Sequence, residues 1–352
     1  MSVAAQERAE SSAAPGWVRD RTALRQLLVL AAFVVVVGLM PFGLTDRGES
    51  IAVRTLIIAI LAVGWNLMSG YGGMFSFGHA AFFGIGAYTD AYLVVDHGIS
   101  PWVAMALGAV FAAVAGTLIA YLCLRYRLAG AYFALATFAF AQLFLLVVQN
   151  VEALGKTEGF NLPILPEDSL WRMQFETGSS MYFWIPLVLL AASLVLVIVF
   201  TNSRTGQRVQ AVRDDETAAE SLGISVMRHR LIPVALSCAI SAVAGAYYTQ
   251  YYFFVGPEQA FGAAVSVEAI VPAVIGGIGT VWGPVIGALV VGPLAELIAE
   301  LLRDPPSSLS FVEGLTGLDV AVYAVLLIAI VILMPKGIYG TLGARLRERR
   351  RR

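Results

Sequence analysis

The stretch Asn66-Leu67-Met68-Ser69-Gly70-Tyr71-Gly72-Gly73-Met74-Phe75-Ser76-Phe77-Gly78-His79 sits between two long apolar runs and decides how the chain is read. Its four glycines and its polar side chains interrupt what is otherwise continuous hydrocarbon-compatible sequence. Glycine disfavours continuous helix and permits positive φ, so the flanking runs are separate helices. Two readings of the break remain open. It is a tight cytoplasmic turn, or it is an interruption at membrane depth, tolerated where protein or water satisfies the freed backbone groups. Transport sites use interrupted helices of the second kind, whose N–H ends meet an anionic group. On that reading Asn66, Ser69, Gly72, Gly73, Ser76 and His79 line a substrate pathway. His79 alone also fits a hydrogen-bonded helix-packing role.

Outward from this stretch the apolar runs continue. A bilayer core takes roughly 20 apolar residues per helix. Ten segments qualify: Leu27–Leu44, Ile51–Ser69, Phe75–Val95, Trp102–Leu122, Ala131–Gln149, Tyr182–Thr201, Leu231–Phe254, Phe261–Gly279, Val281–Leu302 and Val320–Met334. Glu268 interrupts the eighth, whose apolar part is the shortest. The chain is 59% hydrophobic and 13% charged, where soluble domains are about a quarter charged. It reads as all-α: a polytopic transmembrane helix bundle of about ten spans with interrupted, glycine-rich helices. A formal net charge of −1 supplies no basic field for nucleic acid. The partner that composition implies is the lipid bilayer.

Lys and Arg set the orientation, because they concentrate in cytoplasmic loops. With the N-terminus inside, Arg8, Arg19, Arg21 and Arg25 fall inside, as do Arg125 and Arg127. So do Arg204, Arg208, Arg213, Arg228 and Arg230, and then Lys336, Arg345, Arg347 and residues 349–352. Arg47, Arg54, Lys156, Arg172 and Arg303 remain outside or near outer helix ends. Both termini are then cytoplasmic, in a multi-pass protein of the inner or plasma membrane. Residues 1–26, which contain no apolar signal-peptide core, form a disordered cytoplasmic tail. Residues 27–340 form the transmembrane domain, and residues 341–352 a basic cytoplasmic tail. Residues 150–181 make an acidic external loop and residues 202–230 the main internal one. Trp102, Tyr182, Trp184 and the aromatics from Tyr247 to Phe254 fall at outer helix ends, as interfacial anchors or a docking surface.

A second glycine cluster, Gly276-Gly277-Ile278-Gly279-Thr280-Val281-Trp282-Gly283-Pro284-Val285-Ile286-Gly287, repeats the interruption. Gly279, Gly283 and Gly287 have the small-xxx-small spacing that lets helices approach closely. Pro284 fits the first turn of a new helix. Gly276 and Gly277 join the candidate pathway. Two breaks in different halves suggest an inverted repeat, although no residue-level self-similarity supports one.

Several chemistries are excluded. Gly155-Lys156-Thr157 resembles the end of a phosphate-binding loop, but that loop needs a glycine five residues earlier, and position 150 is Asn150. The glycines at 276–287 do not complete a dinucleotide fingerprint. His79, His97 and His229 are too far apart for a metal or a nucleophile triad. No catalytic residue, metal or cofactor is expected, and the two cysteines, Cys123 and Cys238, read as small buried hydrophobes. Asp90, Glu268 and Glu296 fall within spans, where an ionised group costs about 2.5–3.5 kcal/mol on the insertion scale. Asp90 and Glu296 lie toward outer ends and are expected to be hydrated. Glu268 is deeper and is a pathway candidate.

Between Asn202 and Arg230, residues Arg213-Asp214-Asp215-Glu216-Thr217-Ala218-Ala219-Glu220-Ser221-Leu222-Gly223 read as a short helix. Asp214 or Asp215 can cap it and Gly223 can end it. Ala218, Ala219 and Leu222 share a face that a partner would cover; the alternative is a solvated connector.

Particular residues now point to a family. Trp65-Asn66-Leu67, Gly70-Tyr71-Gly72-Gly73, Ser76–Tyr88, Arg125–Leu135, Arg213–Ile224, Gly276–Gly287 and Pro335-Lys336-Gly337-Ile338 resemble the permease family of branched-chain amino acid ABC importers. The resemblance runs from about Ile51 to Gly340 and is to the larger, M-type of two paired permeases. It implies a second homologous permease subunit, two cytoplasmic ATPase subunits that hydrolyse ATP elsewhere, and an external substrate-binding protein. It also implies that Arg213, Asp214, Asp215, Glu216, Ala219, Glu220, Leu222 and Gly223 seat in the ATPase. One departure is Gly155-Lys156-Thr157-Glu158-Gly159, where relatives often carry Thr-Gly-Gly-Thr. Relatives importing urea, short amides or aromatic acids are alternatives, as is a proton-coupled secondary transporter.

Overall fold

The computed structural model describes residues 16–164, 168–176 and 178–303, with 337, 338 and 340. Its helices are α1 (Gly16–Gly38), α2 (Asp46–Asn66), α3 (His79–His97), α4 (Pro101–Arg125), α5 (Ala131–Asn150) and α6 (Met181–Asn202). They continue as α7 (Arg204–Asp214), α8 (Glu216–Ser221), α9 (Val226–Tyr252), α10 (Pro257–Phe261), α11 (Ala263–Gly276) and α12 (Gly283–Arg303). Among the described residues seven helices, α10 and α11 counted as one, are long and apolar enough to cross a bilayer. α3 and α12 pack beside them, and the expected tenth span, Val320–Met334, lies outside the described residues, as does the tail 341–352.

α2 sits at the centre. Its run from Leu56 to Trp65 is apolar on every face and buried throughout, as expected of an all-round hydrophobic helix. α6, α9, α11 and α12 surround it. α3 and α9 approach at backbone distance, because a side chain at Gly86 would overlap the Ala242 carbonyl and one at Gly245 the Phe83 carbonyl. Cys123 and Cys238 are buried. The outer helices turn large apolar side chains outward, among them Val110, Val114 and Leu118 of α4 and Leu135 and Leu146 of α5. Such a surface suits hydrocarbon as solvent.

The structure revises several expectations. α1 starts at Gly16, so residues 16–26, expected in a disordered tail, are helical. After Pro15-Gly16 nothing in that segment breaks a helix, and Trp17, Val18 and Leu24 lead into the apolar run. α3 begins at His79 rather than Phe75, because residues 72–78 are non-helical. The eighth segment is split at Gly262 into α10 and α11, which together run Pro257–Gly276. α2 and α11 run in the same direction, since Arg54 meets Glu268 near one end and Asn66 meets Gly279 near the other. The two broken hairpins are therefore not an inverted pair.

The described residues between 150 and 181 fold down onto the helix ends. β1 (Phe160–Asn161) pairs antiparallel with β2 (Phe254–Val255). Trp102 Nε1 donates to the Leu170 carbonyl at 2.8 Å, and Tyr182 Oη donates to the Phe175 carbonyl at 3.1 Å. These rings fasten a loop, which accounts for their place at helix ends as well as interfacial anchoring does.

Candidate functional site

The polar side chains of the first break satisfy its own backbone. α2 ends in a π-helical turn, Leu67–Tyr71, and residues 72–78 follow with alternating burial. Gly73, Phe75 and Phe77 point outward while Gly72, Met74, Ser76 and Gly78 point inward. Ser69 Oγ donates to the Met74 carbonyl at 3.1 Å, Trp65 Nε1 to the Ser76 carbonyl at 2.8 Å, and the Gly78 N–H to Ser76 Oγ at 3.1 Å. Neighbouring helices supply the rest. The Phe77 N–H reaches Thr137 Oγ1 of α5 at 3.3 Å, and the Ala80 N–H reaches Ser266 Oγ of α11 at 3.0 Å. Buried irregular backbone is tolerated only when paired in this way.

His79 has no exposed surface. Ser237 Oγ donates to the Gly64 carbonyl at 2.6 Å, so its oxygen accepts from His79 Nε2 at 2.9 Å. That geometry matches the packing alternative for His79.

Asn66 joins the two breaks. Its Nδ2 donates to the Thr280 carbonyl at 2.8 Å, and its Oδ1 accepts the Gly279 N–H at 2.7 Å. Gly279 turns the chain with φ +73°. A side chain at Gly70 would lie 2.6 Å from the Gly279 nitrogen, so only glycine permits this approach. Gly276 and Gly277 lie against Gly283, the first residue of α12, and Gly287 against Pro272. Packing thus explains Gly283 and Gly287, with Pro284 in the first turn, while Gly279 belongs to the turn.

The internal loop reaches this knot. α7 is capped by Ser203, whose Oγ accepts the Gly206 N–H at 3.0 Å. From its last turn Arg213 donates through Nη1 to the Gly70 carbonyl at 2.9 Å, and its stem crosses the face of Gly73. Asp214 holds the same guanidinium at 2.8 Å. α8 follows, capped by Asp215, whose carboxylate accepts the Ala218 N–H at 2.9 Å, and closed by Gly223 at φ +76°. Glu216 pairs with Arg230 at 2.7 Å. Ala219 is buried against the protein, whereas Ala218, Glu220 and Leu222 face out, Leu222 being 80% exposed. The expected shared face of Ala218, Ala219 and Leu222 is therefore divided, because Ala219 lies on the inner side of α8.

The structure thus brings Asn66, Ser69, Gly72, Gly73, Ser76, His79, Gly276, Gly277 and Arg213 to one end of α2. Glu268 lies toward the other end. There Arg54 bridges two carboxylates, with Nη2 3.3 Å from Glu268 Oε1 and Nη1 on Glu296 Oε1. A lone arginine within an apolar run is itself a signal, and sequence reading passed over it by placing Arg54 at an outer end. Burial also departs from expectation. Asp90 is 0% exposed, not hydrated, because the close α3–α9 packing reaches its level and Gln250 Nε2 donates to it. Glu268 lies near the middle of the span Pro257–Gly276, with its side chain 44% exposed along the cavity it lines.

Comparison with known proteins supplies the family. Residues 49–334 match the family described as the branched-chain amino acid transport system permease component. The chain is 30% identical over 309 residues to the high-affinity branched-chain amino acid transport system permease protein LivM of Escherichia coli (strain K12), covering 81% of this chain and 70% of that one. It is 31% identical over 302 residues to LivH of the same organism, covering 80% and 91%. A shorter match, 33% over 145 residues, is to the autoinducer 2 import system permease protein LsrC of Enterobacter sp. (strain 638), covering 39% and 41%. No solved structure matches.

Proposed function

This chain belongs to the permease family of branched-chain amino acid transport systems, a family of multi-pass membrane proteins, and we propose that it is the M-type membrane subunit of an ATP-driven importer. It pairs with a homologous second permease, takes branched-chain amino acids from an external binding protein, and performs no catalysis itself. Two ATPase subunits bind on the cytoplasmic side of the inner membrane, where both termini lie. α8 is the element that seats in one of them.

The observation that carries this reading is the bond from Arg213 to the Gly70 carbonyl. It ties the loop holding α8 to the π-helical end of α2, and Asn66 ties that end to the turn between α11 and α12. Movement of α8 therefore acts on both glycine breaks at once. The Arg213 side chain is 32% exposed, which places its bond near the low end for charged hydrogen bonds, about 1.5 kcal/mol. That is about tenfold in an equilibrium. One such contact biases a gate between two positions without locking it, as alternating access requires.

Reconstituted uptake tests the proposal. Vesicles holding both permeases and the ATPases, with loaded binding protein outside, import leucine when ATP is enclosed and continue to do so with a protonophore present. Uptake that survives ATP removal and collapses with the protonophore refutes it. For the coupling assignment, Ser221→Cys cross-links to a cysteine in the ATPase groove; no cross-link in any nucleotide state removes α8 from that role.

A further inference from the structure

We infer that the cavity bounded by α2, α3, α9 and the α10–α11 segment holds the transported molecule as a zwitterion, with Arg54 facing its carboxylate and Glu268 its ammonium group. The inference rests on the importer reading and adds where, and by what chemistry, the substrate is held. The cavity has a volume of about 540 Å³, inside the range of about 300–1,000 Å³ typical of small-molecule sites. Its floor is close to the gate, because Leu61 lines it and Asn66 follows five residues later, about 7.5 Å along α2.

The charged wall carries Arg54, Glu268 and Glu258. The Arg54–Glu268 separation of 3.3 Å exceeds the roughly 2.7–2.9 Å of a tight charge-assisted bond, and both side chains are 44% exposed. This pair opens readily. An incoming carboxylate takes the Nη2 that Glu268 releases, while Glu296 keeps Nη1. The freed Glu268 then faces the ligand's ammonium group. With its carboxylate on Arg54 and its ammonium group beside Glu268 and Glu258, each charge that the ligand brings meets one of opposite sign. A plain carboxylic acid takes Arg54 from Glu268 and brings no cation to replace it, whereas an amine or a neutral amide brings no anion for Arg54 and forgoes that contact. The remaining wall is aliphatic at Ile57, Leu61 and Val265 and aromatic at Phe83 and Tyr248. It suits a compact apolar side chain, and such a wall separates ligands differing by one methylene by as little as about tenfold and at most about 200-fold. Valine, leucine and isoleucine are accepted together, while loss of either charge is rejected.

Ala264, exposed on the cavity wall, gives the test. Ala264→Cys is made in the assembled transporter in lipid nanodiscs, where both native cysteines are buried. Its alkylation rate is measured with leucine, with 4-methylpentanoate, which lacks the ammonium group, and with 3-methylbutylamine, which lacks the carboxylate. Leucine at about twice its Kd slows labelling about threefold; neither analogue does so at that concentration. Glu268→Gln removes the protection, and the ligand series stands without that variant should it fail to fold. Equal protection by either analogue overturns the inference. So does no protection by leucine in a preparation whose vesicles import leucine on ATP, which leaves the importer reading intact. Protection by leucine alone in a preparation without ATP-driven uptake removes the importer reading and supports the binding site.

Discussion

The side-chain oxygen of Asn66 accepts the backbone N–H of Gly279, and its amide nitrogen donates to the carbonyl of Thr280, so one residue closes both glycine breaks. Asn66→Ala leaves an N–H and a carbonyl without these partners in a mostly buried place, at about 1–3 kcal/mol each. Asn66→Asp keeps the acceptor for Gly279 but turns a second acceptor, now charged, toward the Thr280 carbonyl. The Asp variant is expected to lose more thermal stability than the Ala variant, and both to import more slowly. Melting of the purified complex measures the order; an Asp variant as stable as the parent removes the clip.

Arg213 gives a prediction about coupling rather than stability. Its bond to Gly70 crosses between the loop helices and the bundle, and Arg213→Ala removes that bond together with the stem's contact with Gly73. The expected outcome is a rise in ATP hydrolysed per leucine imported, with the melting temperature changed little. Lys at this position reaches as a point charge without the planar fork and restores only part of the ratio. Parallel hydrolysis and uptake assays decide it: an unchanged ratio in the Ala variant shows that force takes another route.

How much of this was legible in the sequence follows from the range of the interactions. Asp215 capping α8, Gly223 ending it and Pro284 starting α12 depend on neighbours within a few residues, and those signals read correctly. The apolar runs located the helices for the same reason. The non-helical segment 72–78 did not show, because it and the first turn of α3 are held by Thr137, Ser237 and Ser266 from three distant helices. Asp90 was misplaced because depth was judged along its own helix, whereas α9 covers it from the side. Arg54 and Glu268 were each visible as charges in apolar runs, but only the parallel course of α2 and α11 sets them together.

Asp90 separates the importer from a proton-driven carrier. The carboxyl is fully buried and takes a hydrogen bond from Gln250, while Asp90 Oδ1 and Gln250 Oε1 have no partner. Asn at this position offers Gln250 the same acceptor and carries no charge into a site where an unpaired one costs several kcal/mol. Asp90→Asn is expected to keep ATP-driven uptake and stability within about 1 kcal/mol of the parent, whereas Asp90→Ala strands the Gln250 amide at about 1–3 kcal/mol. Should the Asn variant fold yet transport nothing, the carboxyl's proton is part of the cycle and the proton-driven rival gains.

Leu222 tests whether α8 has a partner at all. An 80% exposed leucine beside exposed Ala218 on a capped helix buries nothing within this chain. Leu222→Asp therefore removes no internal packing and is expected to leave the stability of the permease pair within about 0.5 kcal/mol of the parent, as for most surface substitutions. Within an ATPase groove the same change places an unpaired charge against apolar surface, so the ATPases no longer co-purify and uptake stops. Retention of the ATPases by the Leu222→Asp complex would make α8 a solvated connector, and the docking role would pass to another cytoplasmic segment.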